Sequence, residues 1–178
     1  MPPALIEANI TFLESAKTLL AALDDERFSQ VQVPGGKSGI GAHLRHVSDH
    51  YECLLDCLEN ERDMVDYDHR NRSPEQEQSV QHAADCIDLI LSRLRNLKTP
   101  SMEQPLRVCM QTGMNADSQQ PDSCLSSVGR EWQFLVSHTV HHFAIIAMHC
   151  EAMGVTVPEV FGVAPSTLHY RAARNTGA

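Results

Sequence analysis

Apolar residues recur at helical spacing through four long stretches of the chain. The first runs through Leu5, Ile6, Ala8, Ile10, Phe12, Leu13, Ala16, Leu19, Leu20 and Leu23 and stops near DDERFSQ. A Gly-rich loop, VPGGKSGIG, leads into a second helix expected over about 40–61, with Ser38 as a cap, and DYDHRNRSP breaks it. Ser73, Pro74, Glu75 and Gln76 make a good start for a third helix through about Leu97, ended by Thr99 and Pro100. Ser126 or Ser127 can cap a fourth, which continues to about Met153 and stops at Gly154. Between the third and fourth, PLRVCMQT and SCLSSV flank a polar GMNADSQQPD turn, which predicts a small β-hairpin. The tail VTVPEVFGVAPSTLHYRAARNTGA carries three helix-breaking features and is expected to pack as an extended arm. The pattern predicts a single all-α domain over residues 1–178, a four-helix bundle with one irregular crossover.

Composition agrees, because Leu, Ala, Ile, Val and Met supply the apolar content while aromatics are only 5% of residues. A length of 178 residues buries a core without help from disulfides or metal. The net charge of −9, with no Lys or Arg block, argues against a phosphate-neutralising surface, so no nucleic-acid partner is expected. No stretch reaches the 18 or so apolar residues of a membrane span, and the first residues lack the basic and small-residue features of a secretory signal. The six cysteines occur without CxxC spacing and read as reduced thiols, which makes the expected location cytoplasmic. Cys53 and Cys57 share a helical face and could bind metal, though small buried thiols are the simpler reading.

The chemistry concentrates in histidines. SHTVHH places His138, His141 and His142 within the fourth helix. On a wheel of about 100° per residue with His138 at zero, His142 falls near 40°, His149 near 20° and Glu131 near 20°, all within the apolar face. His141 lies about 60° off, toward the edge. The second helix repeats the theme in GAHLRHVSDHYECLLDCL, where His43, His46 and His50 follow three- and four-residue spacing beside an apolar stripe. A buried neutral imidazole needs partners for one donor and one acceptor, and each left unpaired costs roughly 1–3 kcal/mol. Several on facing stripes call for something that satisfies them together. A divalent metal does so, since an i,i+4 pair plus a third histidine from a facing helix makes a three-histidine set with open coordination positions; a polar core network is the alternative.

These two segments, in this order and about ninety residues apart, resemble the DinB/YfiT family of metalloenzymes, as do REWQFLVSHTVHHFAIIA and FGVAPSTLHY. The resemblance covers nearly the whole chain and implies a four-helix bundle in an up-down-down-up arrangement. It implies a divalent ion, variously nickel, zinc or iron, held by an HxxxH pair that falls on His138 and His142 and by a second-helix histidine that falls most naturally on His46. His50 and His43 lie on the same face as His46 and remain alternates for it. The better-studied members include thiol S-transferases using low-molecular-weight thiols, a maleylpyruvate isomerase and the N-terminal part of ergothioneine-forming sulfoxide synthases. The implied partners are a small-molecule substrate, such as a low-molecular-weight thiol, and a second copy of the chain in a homodimer.

An open-site ion acts as a Lewis acid and lowers the pKa of water or of an incoming thiol, which suits thiol transfer or hydrolysis. The rival is a non-catalytic bundle that binds a metal or a small ligand. Glu131 could take a fourth position or orient a ligand, or it could simply cap the helix. Arg45 and Asp49 point roughly 60° to 100° from His46 and are expected on the solvated face, while Tyr51 reads as core. His69, His82 and His169 have no partner at useful spacing.

Overall fold

The structure, a computed structural model, describes residues 3–98, 101–113 and 122–175. Four long helices carry the fold: α1 (Ala4–Leu20), α3 (Ile40–Glu59), α5 (Val80–Asn96) and α6 (Val128–Ala152). The short helices α2 (Asp25–Ser29) and α4 (Glu75–Gln78) sit in the connections, with α7 (Pro165–Asn175) near the end. Strands β1 (Met64–Asp66), β2 (Pro105–Met110) and β3 (Asp122–Ser127) form one small sheet in that order.

Each long helix packs against two others, giving the cyclic order α1, α6, α3, α5. Helix directions follow from the side-chain pairs. Lys17 meets Asp88 while Glu14 meets Arg95, so α1 and α5 are antiparallel. Arg93 near the end of α5 pairs with Asp56 and Glu59 near the end of α3, so these two are parallel. The histidine contacts make α3 and α6 antiparallel. The result is the up-down-down-up bundle expected from the resemblance. Ile6, Ile10 and Leu13 of α1, Leu44, Val47 and Leu54 of α3, Ile87 and Ile90 of α5, and Trp132, Leu135 and Phe143 of α6 fill the centre. Tyr51 is core as expected, its hydroxyl donating to Asn9 Oδ1 at 2.8 Å and lying 3.1 Å from Thr139 Oγ1.

The expected hairpin is present: β2 and β3 pair antiparallel with Pro105 opposite Ser127 and Met110 opposite Asp122. Residues 114–121 of its turn, Thr99 and Pro100 lie outside the described residues. The sheet also contains β1, parallel to β2 with Val65 opposite Val108, which falls just after the expected end of the second helix, runs into the DYDHRNRSP break and was not anticipated. The expected third helix is two helices, because Ser79 takes an extended conformation (φ −120°, ψ 119°) and its hydroxyl accepts from His82 N at 3.3 Å to cap α5. Gly39, not Ser38, is the residue before α3, and no side chain caps it. Ser127 caps α6 as anticipated, and Gly154 at φ +69° follows its end.

The tail is not an extended arm. Pro165 opens α7, and Thr167 N and Leu168 N both donate to Ala164 O. Proline at a first turn loses no helix hydrogen bond, so a residue read as a breaker is a starter here. No disulfide joins the six cysteines, of which Cys57, Cys109 and Cys150 are buried. Among the described residues no helix is long and apolar enough to cross a membrane.

Gly41 lets α4 lie on α3. A Cβ there would stand 2.1 Å from Glu77 O and 2.8 Å from the Phe28 ring. Gly41→Ala therefore forces backbone apart and is expected to destabilise the fold by about 1–3 kcal/mol, read as a lowered urea midpoint against wild type. An unchanged midpoint would contradict this packing.

Candidate metal centre

Antiparallel contact between α3 and α6 passes two histidine rows across one another in opposite order. His43 Nδ1 lies 3.1 Å from His142 Nδ1, and one turn further along α3 His46 Nε2 lies 3.1 Å from His138 Nε2. His50 completes the group, its ring centroid 4.2 Å from that of His138 and 4.5 Å from that of His46. The His142 ring is 4.7 Å from His46 and 4.6 Å from His138. The centre is thus two i,i+4 pairs, His46 with His50 and His138 with His142, facing each other across the helix contact.

Among the described residues, the group of three side chains whose ligand nitrogens all lie within 4.8 Å of one another is His46, His50 and His138. His142 stands beside this trio, turned toward His43. His141 is exposed, as its position at the edge of the stripe implies. His149 is buried and takes no part, since its Nδ1 accepts from Gln32 N at 3.2 Å. Neither Cys53 nor Cys57 joins the cluster. Burial pushes the Cys53 thiol up to about 12 and raises that of Cys57, which fits the core-thiol reading.

All four central imidazoles are held neutral. Burial is the main cause in each case, with the neighbouring imidazoles adding to it at three of them: His46 is pushed down to about 3, His142 to about 4, and His138 lowest of all. For His50, down to about 4, burial outweighs the opposing bond from its Nδ1 to His46 O at 2.8 Å. Neutral rings keep a lone pair each for a cation. His50 is the best prepared, because donating Nδ1–H to a carbonyl leaves Nε2 as the acceptor, the usual arrangement of a metal-bound histidine. His138 Nδ1, by contrast, is buried without a partner among the described residues. That orphaned nitrogen and an all-imidazole donor set fit a zinc, nickel or iron ion, and the cluster is compatible with metal binding.

A brace supports the cluster from the sheet side. Tyr67, one residue past β1, stacks on His50 at 5.2 Å with an interplanar angle of 20°. Its hydroxyl donates to Glu131 Oε2 at 2.9 Å, and Ser126 donates to Glu131 Oε1, which also receives Arg130 at 3.3 Å. Buried Glu131 therefore anchors a tyrosine rather than capping the helix or reaching the imidazoles. Phe134 closes the same side, 5.3 Å from Tyr67 and 5.4 Å from His138. On the other side Arg70 Nη1 donates to His46 Nδ1 at 2.7 Å. Tyr67 and Arg70 lie in the segment read only as a helix break, where no periodicity marks them.

Arg45 and Asp49 are not solvated. Asp49 is 2% exposed and pairs with Arg45 at 2.5 Å, while Arg45 also meets Glu77 at 2.6 Å. Helix α4 lies over this face, which a wheel for α3 alone could not anticipate. Burial raises the Asp49 carboxyl, and Arg45 is the chief opposing influence. Beyond Asp49 a cleft of about 670 Å³ runs between α3 and the returning chain, lined among others by Glu52, Cys53, Asp66, His69 and Arg70.

The chain is a helical bundle whose antiparallel helices α3 and α6 bring facing histidine pairs together at its centre. Residues 13–146, about three quarters of the chain, match the DinB superfamily, and the chain belongs to that family. Its fold is similar to the crystal structure of a DinB-like protein from Bacillus cereus ATCC 10987, with a TM-score of 0.58 and 19% identity over 84% of this chain and 91% of that one. It is also 31% identical over 107 residues to FK506-binding protein 5 of Rhizopus delemar, a match covering 60% of this chain and 27% of that protein's length.

The lowered histidine pKa values fix a sign for pH dependence. Below the ordinary value near 6.5 the unfolded chain takes up protons that the folded cluster refuses, so stability falls as pH drops from about 6.5 toward the folded values of 3 to 4. The melting temperature of metal-free protein is expected to decline across that window. A His50→Phe, His142→Phe double variant should show a shallower decline, and equal slopes would speak against neutral imidazoles at these two positions.

Proposed function

We propose that the protein is a divalent-metal enzyme whose ion is held by His46, His138 and His142, with His50 as the substitute for a ligand. The observation that carries this reading is the pair of facing, neutral i,i+4 histidine sets, one of whose members has a buried nitrogen with nothing to bond. His46 and His138 are common to the set implied by family resemblance and to the trio whose nitrogens all lie within 4.8 Å of one another. Zinc, nickel or iron(II) held there would supply Lewis acidity, acidifying a thiol or water at an open position at neutral pH. Tyr67 and Phe134 wall the cluster from solvent on one side, and the cleft beyond Arg70 has the size of a small-molecule site. The reaction we favour is transfer of a low-molecular-weight thiol to a small electrophile, with hydrolysis as the related use of the same ion.

His50 favours one second reading. Its Nε2 is already poised as an acceptor, and a fourth imidazole ligand would close a tetrahedral site and make the metal structural. Metal analysis of protein purified without a nickel column, X-ray absorption to count ligands, and assay against thiol and electrophile pairs separate the two. We expect about one ion per chain, three imidazoles and turnover; four imidazoles with no turnover would support the structural reading.

His46→Ala, His138→Ala or His142→Ala should each remove most of the metal, and His141→Ala should leave most of it. Full occupancy in His138→Ala, with loss in His141→Ala, would overturn the ligand set. Occupancy kept in His142→Ala and lost in His50→Ala would move the third ligand to His50. We further propose a homodimer, consistent with exposed Leu89 and Met148 on the bundle surface; a sedimentation mass of one chain at micromolar concentration would contradict it.

A further inference from the structure

The hydrogen bonds around His46 conflict with its use as a ligand. A guanidinium only donates, so the bond from Arg70 Nη1 requires a lone pair on His46 Nδ1. In a neutral ring the proton is then on Nε2, which points at His138 Nε2 3.1 Å away. His138 Nε2 must accept, so its own proton sits on Nδ1, the atom that is buried without a partner. A single chain of donors thus starts at Arg70, passes through both imidazoles and ends unsatisfied. An ion bound through His46 Nε2 would reverse the polarity of that ring, because Nε2 would have to give up its proton and present a lone pair, as His138 Nε2 already does. His46 then carries its proton on Nδ1, facing a donor that cannot accept it.

We propose that Arg70 is a built-in competitor for the metal, a guanidinium that occupies the outer nitrogen of His46 in the metal-free protein and leaves it for the adjoining cleft when the ion binds. The proposal rests on the metal reading of the cluster. Nothing else ties Arg70 down: its Nε is buried without a partner, and among the described residues no carboxylate lies within ion-pairing distance of its side chain. The cleft it lines offers a place to go. There Asp49 is engaged by Arg45, Asp56 by Arg93, and Asp66 accepts from the backbone of Asp68 and His69, while the half-buried Glu52 makes no side-chain hydrogen bond among the described residues. Glu52 is therefore the acceptor we assign to the displaced guanidinium. The same motion would carry the Arg70 guanidinium from the cluster's edge to Glu52 within the cleft only when the ion is bound, so Arg70 is a positioning residue that couples metal occupancy to the charge distribution of the cleft.

The test is metal affinity, read by competition with a chromophoric chelator on apo protein reloaded with zinc. Arg70→Met should bind zinc about tenfold more tightly than wild type, the scale of one lost charged hydrogen bond. The gain should persist at high salt, because removal of mere charge repulsion is screened there. Long-range ¹H–¹⁵N spectra of wild type give an independent readout that needs no variant: in the metal-free protein His46 should be protonated on Nε2 alone, and on Nδ1 alone with zinc. Unchanged or weaker binding by Arg70→Met would overturn the proposal, the latter because Arg70 would then be supporting an imidazolate ligand. A gain that vanishes at high salt, or a His46 tautomer that zinc leaves alone, would overturn it as well. Failure of the metal reading is distinguishable, since wild type itself would then bind no zinc and lose nothing on His138→Ala.

Discussion

Helices packed antiparallel bring residues past one another in opposite order, and in this molecule the contact between α3 and α6 is where that geometry meets an unusual composition. Spacings of three and four residues on α3, and of four and seven on α6, turn six histidines toward the same seam. The seam then imposes conditions on everything near it. Imidazoles crowded at centroid distances of 4.2–4.9 Å cannot all be charged, so burial and mutual repulsion keep them neutral. Neutral rings need both a donor and an acceptor satisfied, and the neighbouring side chains can be sorted by how they meet that demand.

Some histidines are satisfied by the protein alone. His149 has the amide of Gln32, and His50 has a carbonyl from its own helix and a tyrosine face. His138 is not: its Nδ1 is buried without a partner among the described residues. This unsettled ring meets those of His46, His50 and His142. A core that merely tolerated histidines would be expected to place the strain anywhere; here it falls where two i,i+4 pairs converge, and that is the reason for treating the cluster as a ligand set rather than as a polar core network.

Much of this was legible in the sequence because helices α3 and α6 are long enough for their periodicity to declare a face. The wheel put His138, His142 and His149 inward and His141 at the edge, and their burial agrees. What escaped has a common physical origin. Asp49 looked solvated because a single helix does not say what lies on its far side, and α4 lies there. Tyr67 and Arg70 follow a three-residue strand whose pairing with β2 is parallel and distant in sequence, a contact that leaves no local pattern. Pro165 was weighed as a breaker when its place at a first turn made it a beginning. Periodic elements announce themselves, and the residues that tune the site arrive on elements too short to be periodic.

The parallel alignment of α3 and α5 has a consequence of its own. Neighbouring parallel helices cannot be joined by a tight turn, so residues 60–79 must travel back along the bundle before α5 can begin. That return segment passes over the histidine seam and lays Tyr67 on one flank and Arg70 on the other. It answers to none of the spacing rules that bind the helices. Substitutions along it alter the charge and side chains that face the cluster without touching an imidazole, which makes the molecule a fixed socket with an exchangeable faceplate.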